Sequence, residues 1–173
     1  MRFIDIREFI QFLESKGELV RIKTPVSNDL EITEITDRVV KAGGPALLFE
    51  NVVGYDIPVL INIYGSSQRI AWALGGDHID HLGNRIRKML DMRQGPPPGL
   101  LNKAKTLIEL IKVAGYKPKL VRNAPCQEVV LMGSDIDLNK FPVLKCWPMD
   151  GGRFITLPLV ITRDPVSGSR NVG

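Results

Sequence analysis

The sequence predicts an α/β (α+β) domain over residues 1–125, followed by the truncated start of a β-rich domain over residues 126–173. Helical and strand-like patterns alternate through about the first 122 residues, an order typical of an α/β unit. From Cys126 onward the apolar runs are short and strand-like. The closing stretch RDPVSGSRNVG places Pro and Gly between two strands and so predicts a β-hairpin. Because a two-stranded ribbon is marginal alone, we expect the second domain to be incomplete.

Capping patterns mark the first helices. Asp5 followed by Glu8 predicts a capping box, and Gly17 predicts the end of that helix before a strand in ELVRIK. Asn28 and Glu31 predict a second box, whose helix ends at AGGP. The two N-terminal helices therefore have recognisable starts and stops.

The remaining elements follow from apolar runs and their breakers. ALLFE and IPVLINIY predict buried strands, and helices are predicted over about 66–74, 77–92 and 101–114. QGPPPG, residues 94–99, predicts a stiff connector, because proline continues neither a helix nor a sheet. CQEVVLM and FITLPLVITRD predict strands of the second domain.

The basic residues are unevenly distributed. The chain carries 23 basic and 19 acidic residues, for a net charge of +4, and the stretch Lys103–Arg122 is distinctly basic. A solvated helix face is the first interpretation; the alternative is a non-catalytic module that binds phosphate or nucleic acid. Tyr116 is the one aromatic residue among these charges, which is too few to stack on successive bases, so we expect no nucleic-acid partner.

The cysteines and the N-terminus indicate the compartment. Cys126 and Cys146 form neither a disulfide framework nor a zinc pattern, which fits a reducing environment. The start MRFIDIREFI is too charged for a signal peptide, and no apolar run is long enough to cross a membrane. We expect a cytoplasmic protein.

Several small motifs have both a structural and a chemical interpretation. His78 and His81 have metal-binding spacing, whereas a capped helix start with Asp77 as N-cap is the simpler interpretation. The paired glycines of AGGP precede a strand, which favours a helix stop over a dinucleotide site. YGSS favours a plain N-cap over an anion site at a helix N-terminus.

Two further side chains are candidates on chemical grounds. Cys146 lies between Lys145 and Trp147, which admits an activated thiolate, but core packing or a pocket wall is the favoured interpretation. An asparagine at the start of a strand, such as Asn171, commonly has no role beyond following a turn. Its amide oxygen is also a neutral hard ligand suited to Mg²⁺ or Mn²⁺.

Long strings of the chain resemble one family. GELVRI, LEITEITDRVVKAGGPALLFENVVGYDIPVLINIYGS and APCQEVVLMGSDIDLNKFPVLKCWPMDGGRFITLPLVITRDPVSGSRNVG are similar to the UbiD-like decarboxylases, of the 3-polyprenyl-4-hydroxybenzoate decarboxylase type in ubiquinone biosynthesis. The resemblance covers nearly the whole chain. It implies an amino-terminal α/β domain, then a flavin-reductase-like split β-barrel, and a third domain beyond this sequence.

The resemblance also implies a chemistry. Family members are homo-oligomers that use prenylated FMN, with Mn²⁺ and K⁺ at its phosphate, to release CO₂ from aromatic or α,β-unsaturated carboxylic acids. A prenylated substrate would bring peripheral membrane contact. Loss of CO₂ from an sp² carbon requires an organic electron sink, which explains the need for such a cofactor.

Residue by residue, the R-N-x-G strand of the family matches Asn171, which the resemblance makes a Mn²⁺ ligand and cofactor contact. Thr156 on the preceding strand is expected to face the same cavity. The other metal ligands and the Glu-Arg-Glu catalytic group are expected beyond Gly173, so we expect no catalytic residue in this chain. On its own it should neither bind prenylated FMN tightly nor turn over.

Overall fold

The structure is a computed structural model that describes residues 3–91 and 120–173. The predicted connector 94–99, the predicted helix 101–114 and most of the basic stretch Lys103–Arg122 lie outside the described residues. The other predicted elements can be compared directly with the structure.

Nine helices and strands are described, with three short 3₁₀ turns between α4 and β4 at Pro125–Gln127, Gly133–Asp135 and Leu138–Lys140. In chain order they are α1 (Ile6–Ser15), β1 (Leu19–Ile22), α2 (Glu31–Lys41), β2 (Ala46–Phe49), β3 (Val59–Ile61), α3 (Ser67–Ala73), α4 (Ile79–Asp91), β4 (Ile161–Arg163) and β5 (Arg170–Val172). The alternation of helix and strand predicted for the N-terminal part is confirmed.

The main sheet has the order β1-β2-β3. Strands β1 and β2 are parallel, with Leu19 opposite Ala46, and α2 makes the crossover between them. Strand β3 pairs antiparallel to β2, with Val59 opposite Phe49. All of β2 is buried, which explains its unbroken apolar sequence ALLF.

The hydrophobic core gathers around β2. Its buried members are Val26, Ile32, Leu47, Phe49, Val52 and Leu144. The last of these comes from the C-terminal part of the chain, so residues far apart in sequence build one core. Burial of such side chains contributes about 1.5–3 kcal/mol each.

Local hydrogen bonds explain where α1 begins and where both α1 and α2 end. The carboxylate of Asp5 accepts from the amides of Arg7 and Glu8 at 2.9 and 3.0 Å, while Glu8 reaches back to the amide of Ile4. This confirms the Asp5 cap. Glu8 is at the standard N3 position, but it accepts from the amide of Ile4 and not from that of Asp5 as in a standard capping box. Gly17 and Gly43, at φ values of 70 and 66°, end α1 and α2 in Schellman geometry.

The second predicted capping box is wrong. The residue before α2 is Leu30, at a φ of 65° and without a side-chain cap, and Glu31 instead accepts from the amide of Ser27 at 2.8 Å. The side chain of Asn28 is directed to a distant part of the chain, where it donates to the carbonyl of Val143. Tertiary hydrogen bonding has displaced the local motif.

Two other details also differ from prediction. The strand expected in CQEVVLM is wrong, because a 3₁₀ turn covers Pro125–Gln127 and no strand is described over 126–132. FITLPLVITRD is a strand only at Ile161–Arg163, and Leu157, at a φ of 56°, interrupts any longer run.

A network of charged groups holds β1 beside α1 and β2. Arg21 donates to both carboxylate oxygens of Glu14, at 2.7 and 3.0 Å, and to Glu50 at 2.7 Å. The hydrogen bonds to Glu14 and then Glu50 raise the pKa of the guanidinium, and the bond from Arg21 lowers the pKa of Glu14. The fork geometry suits arginine and not lysine.

The chain divides into two compact units that do not follow sequence order. One comprises residues 10–65 with 138–173, and the other residues 1–9 with 66–137. The first holds the three-stranded sheet, its core and the β4–β5 hairpin; the second holds α3 and α4. The domain division 1–125 and 126–173 stays a prediction from sequence.

Candidate functional site

The β4–β5 hairpin is built by its turn. The Asp164 carboxylate accepts from the amides of Val166 and Ser167 at 2.8 and 2.6 Å, and Gly168 takes a φ of 72°. The bonds from Ser167 and Val166 lower the pKa of Asp164, because they stabilise its charged form. This confirms the hairpin predicted from RDPVSGSRNVG.

Asn171 lies directly opposite Thr162 in the hairpin, and both residues are exposed. Val160 and Gly173 exchange backbone hydrogen bonds of 2.8 and 2.9 Å just beyond this pair, which fixes its register. Within the part of the chain that the structure describes, no hydrogen bond from the Asn171 side chain is present. Its amide oxygen is therefore available to a ligand.

Thr156 contributes to an apolar cavity of about 270 Å³. The cavity is bounded by β3, by residues 141–144 and by residues 154–156, and Asn171 is not among its lining residues. Thr156 and Asn171 are thus placed at different features of one compact unit. Residues 141–144 were not singled out from sequence, although their apolar run FPVL is a signal that could have found them.

Cys146 both packs on the core and lines a second cavity, as the favoured interpretation predicted. That cavity, of about 370 Å³, is also bounded by Trp147 and by acidic residues at the start of α2, including Glu31 and Glu34. Among the described residues no histidine lines it. Cys146 is therefore part of the core packing and of a cavity wall.

The remaining small motifs have structural roles. The rings of His78 and His81 lie 5.8 Å apart, edge to face, and no cluster of three metal-binding side chains occurs in residues 3–91 and 120–173. Because α4 begins at Ile79, Asp77 is not its N-cap. The Ser66 hydroxyl accepts from the amide of Arg69 at 3.1 Å, which confirms the plain cap for α3.

Within residues 3–91 and 120–173, no helix is both long and apolar enough to cross a bilayer.

Two family models match the chain in succession. The 3-octaprenyl-4-hydroxybenzoate carboxy-lyase N-terminal domain matches residues 10–89, and the Rift-related domain of the same carboxy-lyase matches residues 119–173. Together the two matches account for well over half of the sequence.

The relatives are longer proteins. An uncharacterized protein of Aquifex aeolicus is 52% identical over 99% of this chain, and the chain covers 35% of its length. An uncharacterized protein of Archaeoglobus fulgidus is 47% identical over the whole chain, which covers 34% of it. The chain thus spans about a third of the length of these relatives.

Solved structures agree. The UbiD-class enzyme HmfF from Pelotomaculum thermopropionicum, in an evolved dimeric form with prFMN, is 30% identical with a TM-score of 0.68, over 96% of this chain and 34% of its own. The 3,4-dihydroxybenzoic acid decarboxylase of Enterobacter cloacae is 26% identical with a TM-score of 0.73, over 100% of this chain and 34% of its own. With both family domains matched in order and the fold shared over nearly its full length, this chain belongs to the UbiD family.

Proposed function

We propose that this chain is the amino-terminal part of a prenylated-FMN-dependent carboxy-lyase, which releases CO₂ without oxidation from an aromatic or α,β-unsaturated carboxylic acid. The observation that carries the proposal is the succession of two domains of one carboxy-lyase along the chain. The structural similarity to HmfF, whose structures contain FMN or prFMN, supports the cofactor. The activity belongs to a longer protein, of which this chain supplies a scaffold and one wall of the site.

The substrate we propose is 3-polyprenyl-4-hydroxybenzoate, in ubiquinone biosynthesis. The descriptions of both family models support a prenylated hydroxybenzoate. The solved neighbours include vanillic acid and 3,4-dihydroxybenzoic acid decarboxylases, so hydroxybenzoates as a class are the first compounds to test. For such a substrate we propose that the complete protein is a cytoplasmic homo-oligomer that makes peripheral contact with the membrane.

Asn171 is the residue we propose as a Mn²⁺ ligand beside the cofactor phosphate, with K⁺ nearby. Its exposed position opposite Thr162 and its unengaged amide support this role, because a neutral oxygen donor suits a hard cation. A hard divalent ion takes about six ligands, however, and the described residues offer no further cluster of donors. Asn171 therefore contributes to a metal site that other residues complete.

The cofactor, when bound, supplies the electron sink that loss of CO₂ from an sp² carbon requires. This chain contributes position and exclusion of water. The cavity walled by β3 and residues 141–144 is apolar, and Thr156 is among its lining residues. An apolar wall strengthens electrostatic interactions with the substrate carboxylate by lowering the local dielectric constant.

The test uses the complete protein encoded around this chain, loaded with prFMN, Mn²⁺ and K⁺. CO₂ release is measured with hydroxybenzoates that carry or lack a prenyl chain, alongside Mn²⁺ content by elemental analysis. We expect decarboxylation, and a loss of at least about 100-fold in activity together with the Mn²⁺ in Asn171→Ala. Asn51→Ala, at an exposed asparagine elsewhere, is the matched control and should retain both.

The outcomes separate two parts of the proposal. Absence of CO₂ release from every unsaturated acid, with the flavin and metals bound, contradicts the proposed activity. Full activity and full Mn²⁺ content in Asn171→Ala contradicts the ligand assignment and leaves the activity standing. Release from unprenylated acids alone rejects the polyprenyl substrate.

A further inference from the structure

The cavity of about 270 Å³ beside β3 has an almost wholly apolar lining. Its walls are β3 and the segments 141–144 and 154–156, all within one compact unit. Among the described residues, every side chain that lines this β3 cavity is aliphatic or aromatic apart from that of Thr156. A carboxylate or phosphate group would therefore meet no opposite charge, so the β3 cavity suits an uncharged, apolar group.

Hydrogen bonds hold one wall of the β3 cavity in place. The carbonyl of Val143 accepts from the side chains of Asn28 at 3.0 Å and Arg153 at 2.9 Å. The carbonyl of Leu144 accepts from the amide of Phe154 at 2.8 Å, and the Leu144 side chain belongs to the buried core. The fold itself thus fixes this wall, and the cavity exists before an occupant enters it.

Aromatic and branched side chains stand at the surface of the β3 cavity. Phe141, Phe154 and Ile155 line it and are 49, 51 and 68% exposed in the described structure. Exposed apolar side chains gathered around a cavity are typical of a binding site. Rings and branched chains of this kind pack well against a flat, branched hydrocarbon.

The volume of the β3 cavity limits how much hydrocarbon it can hold. A cavity of about 150 Å³ holds one benzene ring, which is about 25 Å³ for each carbon atom. At that density a volume of about 270 Å³ holds about ten carbon atoms, or two isoprene units. The octaprenyl chain named in the description of both family models has eight such units. Only a short part of such a chain fits.

The β3 cavity is close to the proposed metal site along the chain. Thr156 precedes Thr162 by six positions, so the two lie within about 22 Å of each other even if the chain is fully extended. Thr162 is the residue opposite Asn171 in the hairpin. The part of a prenyl chain that reaches the cavity is therefore the part next to the reacting ring.

We propose that the β3 cavity binds the two isoprene units nearest the ring of a 3-prenylated 4-hydroxybenzoate. The inference rests on the proposed polyprenyl substrate and adds the site that recognises its tail. Leu60 and Phe141 set the size of this site. Val59 and Ile61 pack against the core, and Leu60 points to the opposite face of β3, so its side chain can be changed without opening the core.

The experiment measures binding to the complete protein without its cofactor, by isothermal titration calorimetry. The ligands are 4-hydroxybenzoates that carry zero, one, two or three isoprene units at the 3-position. The dissociation constant should fall about 10-fold or more for each of the first two units, because each buries apolar surface. The third unit lies outside the cavity and should lower it less than about 3-fold.

Two variants change the size of the cavity in opposite directions. Leu60→Trp fills part of it, so the gain from the second unit should fall below about 3-fold. Phe141→Ala enlarges it, so the third unit should now give a gain of about 10-fold. Val20→Trp is the matched control, because it adds the same large side chain at a half-exposed position on β1 and should leave the series unchanged.

Opposite shifts in the two variants are the decisive result, because a general loss of structure would weaken all four ligands alike. Melting temperatures identify a variant that fails to fold, and the other variant then decides. A series without any gain from isoprene units overturns the proposal. Uniform weakening, or a limit that stays at two units in both variants, also overturns it and would show that other parts of the complete protein fill the cavity.

Release of CO₂, measured separately with the loaded enzyme, distinguishes this inference from the proposed function. Tighter binding with each of the first two units, without CO₂ release from any of the four acids, contradicts the decarboxylase and leaves the tail site standing. Release of CO₂ without a gain from isoprene units contradicts the tail site alone.

Discussion

The side chain of Asn28 donates a hydrogen bond of 3.0 Å to the carbonyl of Val143, across 115 positions of sequence. The same carbonyl accepts from Arg153 at 2.9 Å. Backbone hydrogen bonds reinforce the contact. The Lys145 amide donates to the backbone carbonyl of Asn28 at 3.1 Å, and the Leu30 amide donates to the backbone carbonyl of Lys145 at 3.0 Å. The loop before α2 therefore holds the segment that brings Leu144 into the core.

Replacing Asn28 should destabilise this unit. Asn28 is only 5% exposed, so Asn28→Ala removes a part-buried hydrogen bond and leaves a gap beside the Val143 carbonyl. We expect a loss of about 1–3 kcal/mol in the free energy of unfolding, measured by urea denaturation. Arg153→Ala, which removes an exposed donor to the same carbonyl, should cost less than about 1 kcal/mol. Equal losses in the two variants would show that burial of Asn28 does not matter.

Two consecutive glycines, Gly43 and Gly44, follow the end of α2, and each is required for a different physical reason. Gly43 has a φ of 66°, so Gly43→Ala should cost about 1–2 kcal/mol, and Gly43→Asn should cost less. At Gly44 a Cβ would lie 2.7 Å from Cγ1 of Val39 and 3.1 Å from its carbonyl oxygen. Gly44→Ala should therefore destabilise through a steric clash, which Val39→Ala should partly relieve.

Chemical denaturation of these variants distinguishes the two causes. Gly151→Ala is the matched control, because Gly151 has open space around its Cβ position and no left-handed φ, and it should be nearly neutral. If Val39→Ala fails to reduce the cost of Gly44→Ala in a double-mutant cycle, the steric explanation is wrong.

The local parts of the fold were predictable because their hydrogen bonds join neighbours in sequence. The Asp5 cap, the glycine stop at Gly43 and the turn at Asp164 each satisfy backbone groups within a few residues. Asn28 was misread for the opposite reason. Its partner is remote, and no local pattern reports a tertiary acceptor such as Val143.

The second half of the chain was harder to predict because strand patterns need partner strands. Val129 and Met132 in the expected strand CQEVVLM are 78 and 73% exposed. These apolar side chains therefore do not pack in a sheet within the described structure. Asn171 was placed in a strand correctly because the turn before it has specific chemistry. The proposal that Asn171 is a metal ligand rests on family resemblance, since spacing alone does not distinguish a ligand from an asparagine that merely follows a turn.

The 173-residue chain should hold Mn²⁺ weakly. Asn171 offers one neutral oxygen, and water competes well for the other positions around a hard cation. Titration of Mn²⁺ into the chain, followed by electron paramagnetic resonance, should give a dissociation constant no tighter than about 1 mM. Incubation with prFMN should leave no flavin absorbance after gel filtration. Stoichiometric retention of either would show that these residues form a complete site.

Acid should weaken the β4–β5 turn through Asp164. Hydrogen bonds from the amides of Ser167 and Val166 hold the pKa of this carboxyl below its ordinary value of 3.8. The charged form therefore stabilises the turn fully above that value, and the contribution is lost as the pH falls through the lower folded-state pKa. The amide signals of Ser167 and Val166, followed by NMR between about pH 2 and 6, should titrate with a midpoint below 3.8. Asp164→Asn keeps an acceptor oxygen without a titrating group, so its amide signals should stay constant. A midpoint at or above the ordinary value in the parent chain would mean that the turn gains nothing from the charge.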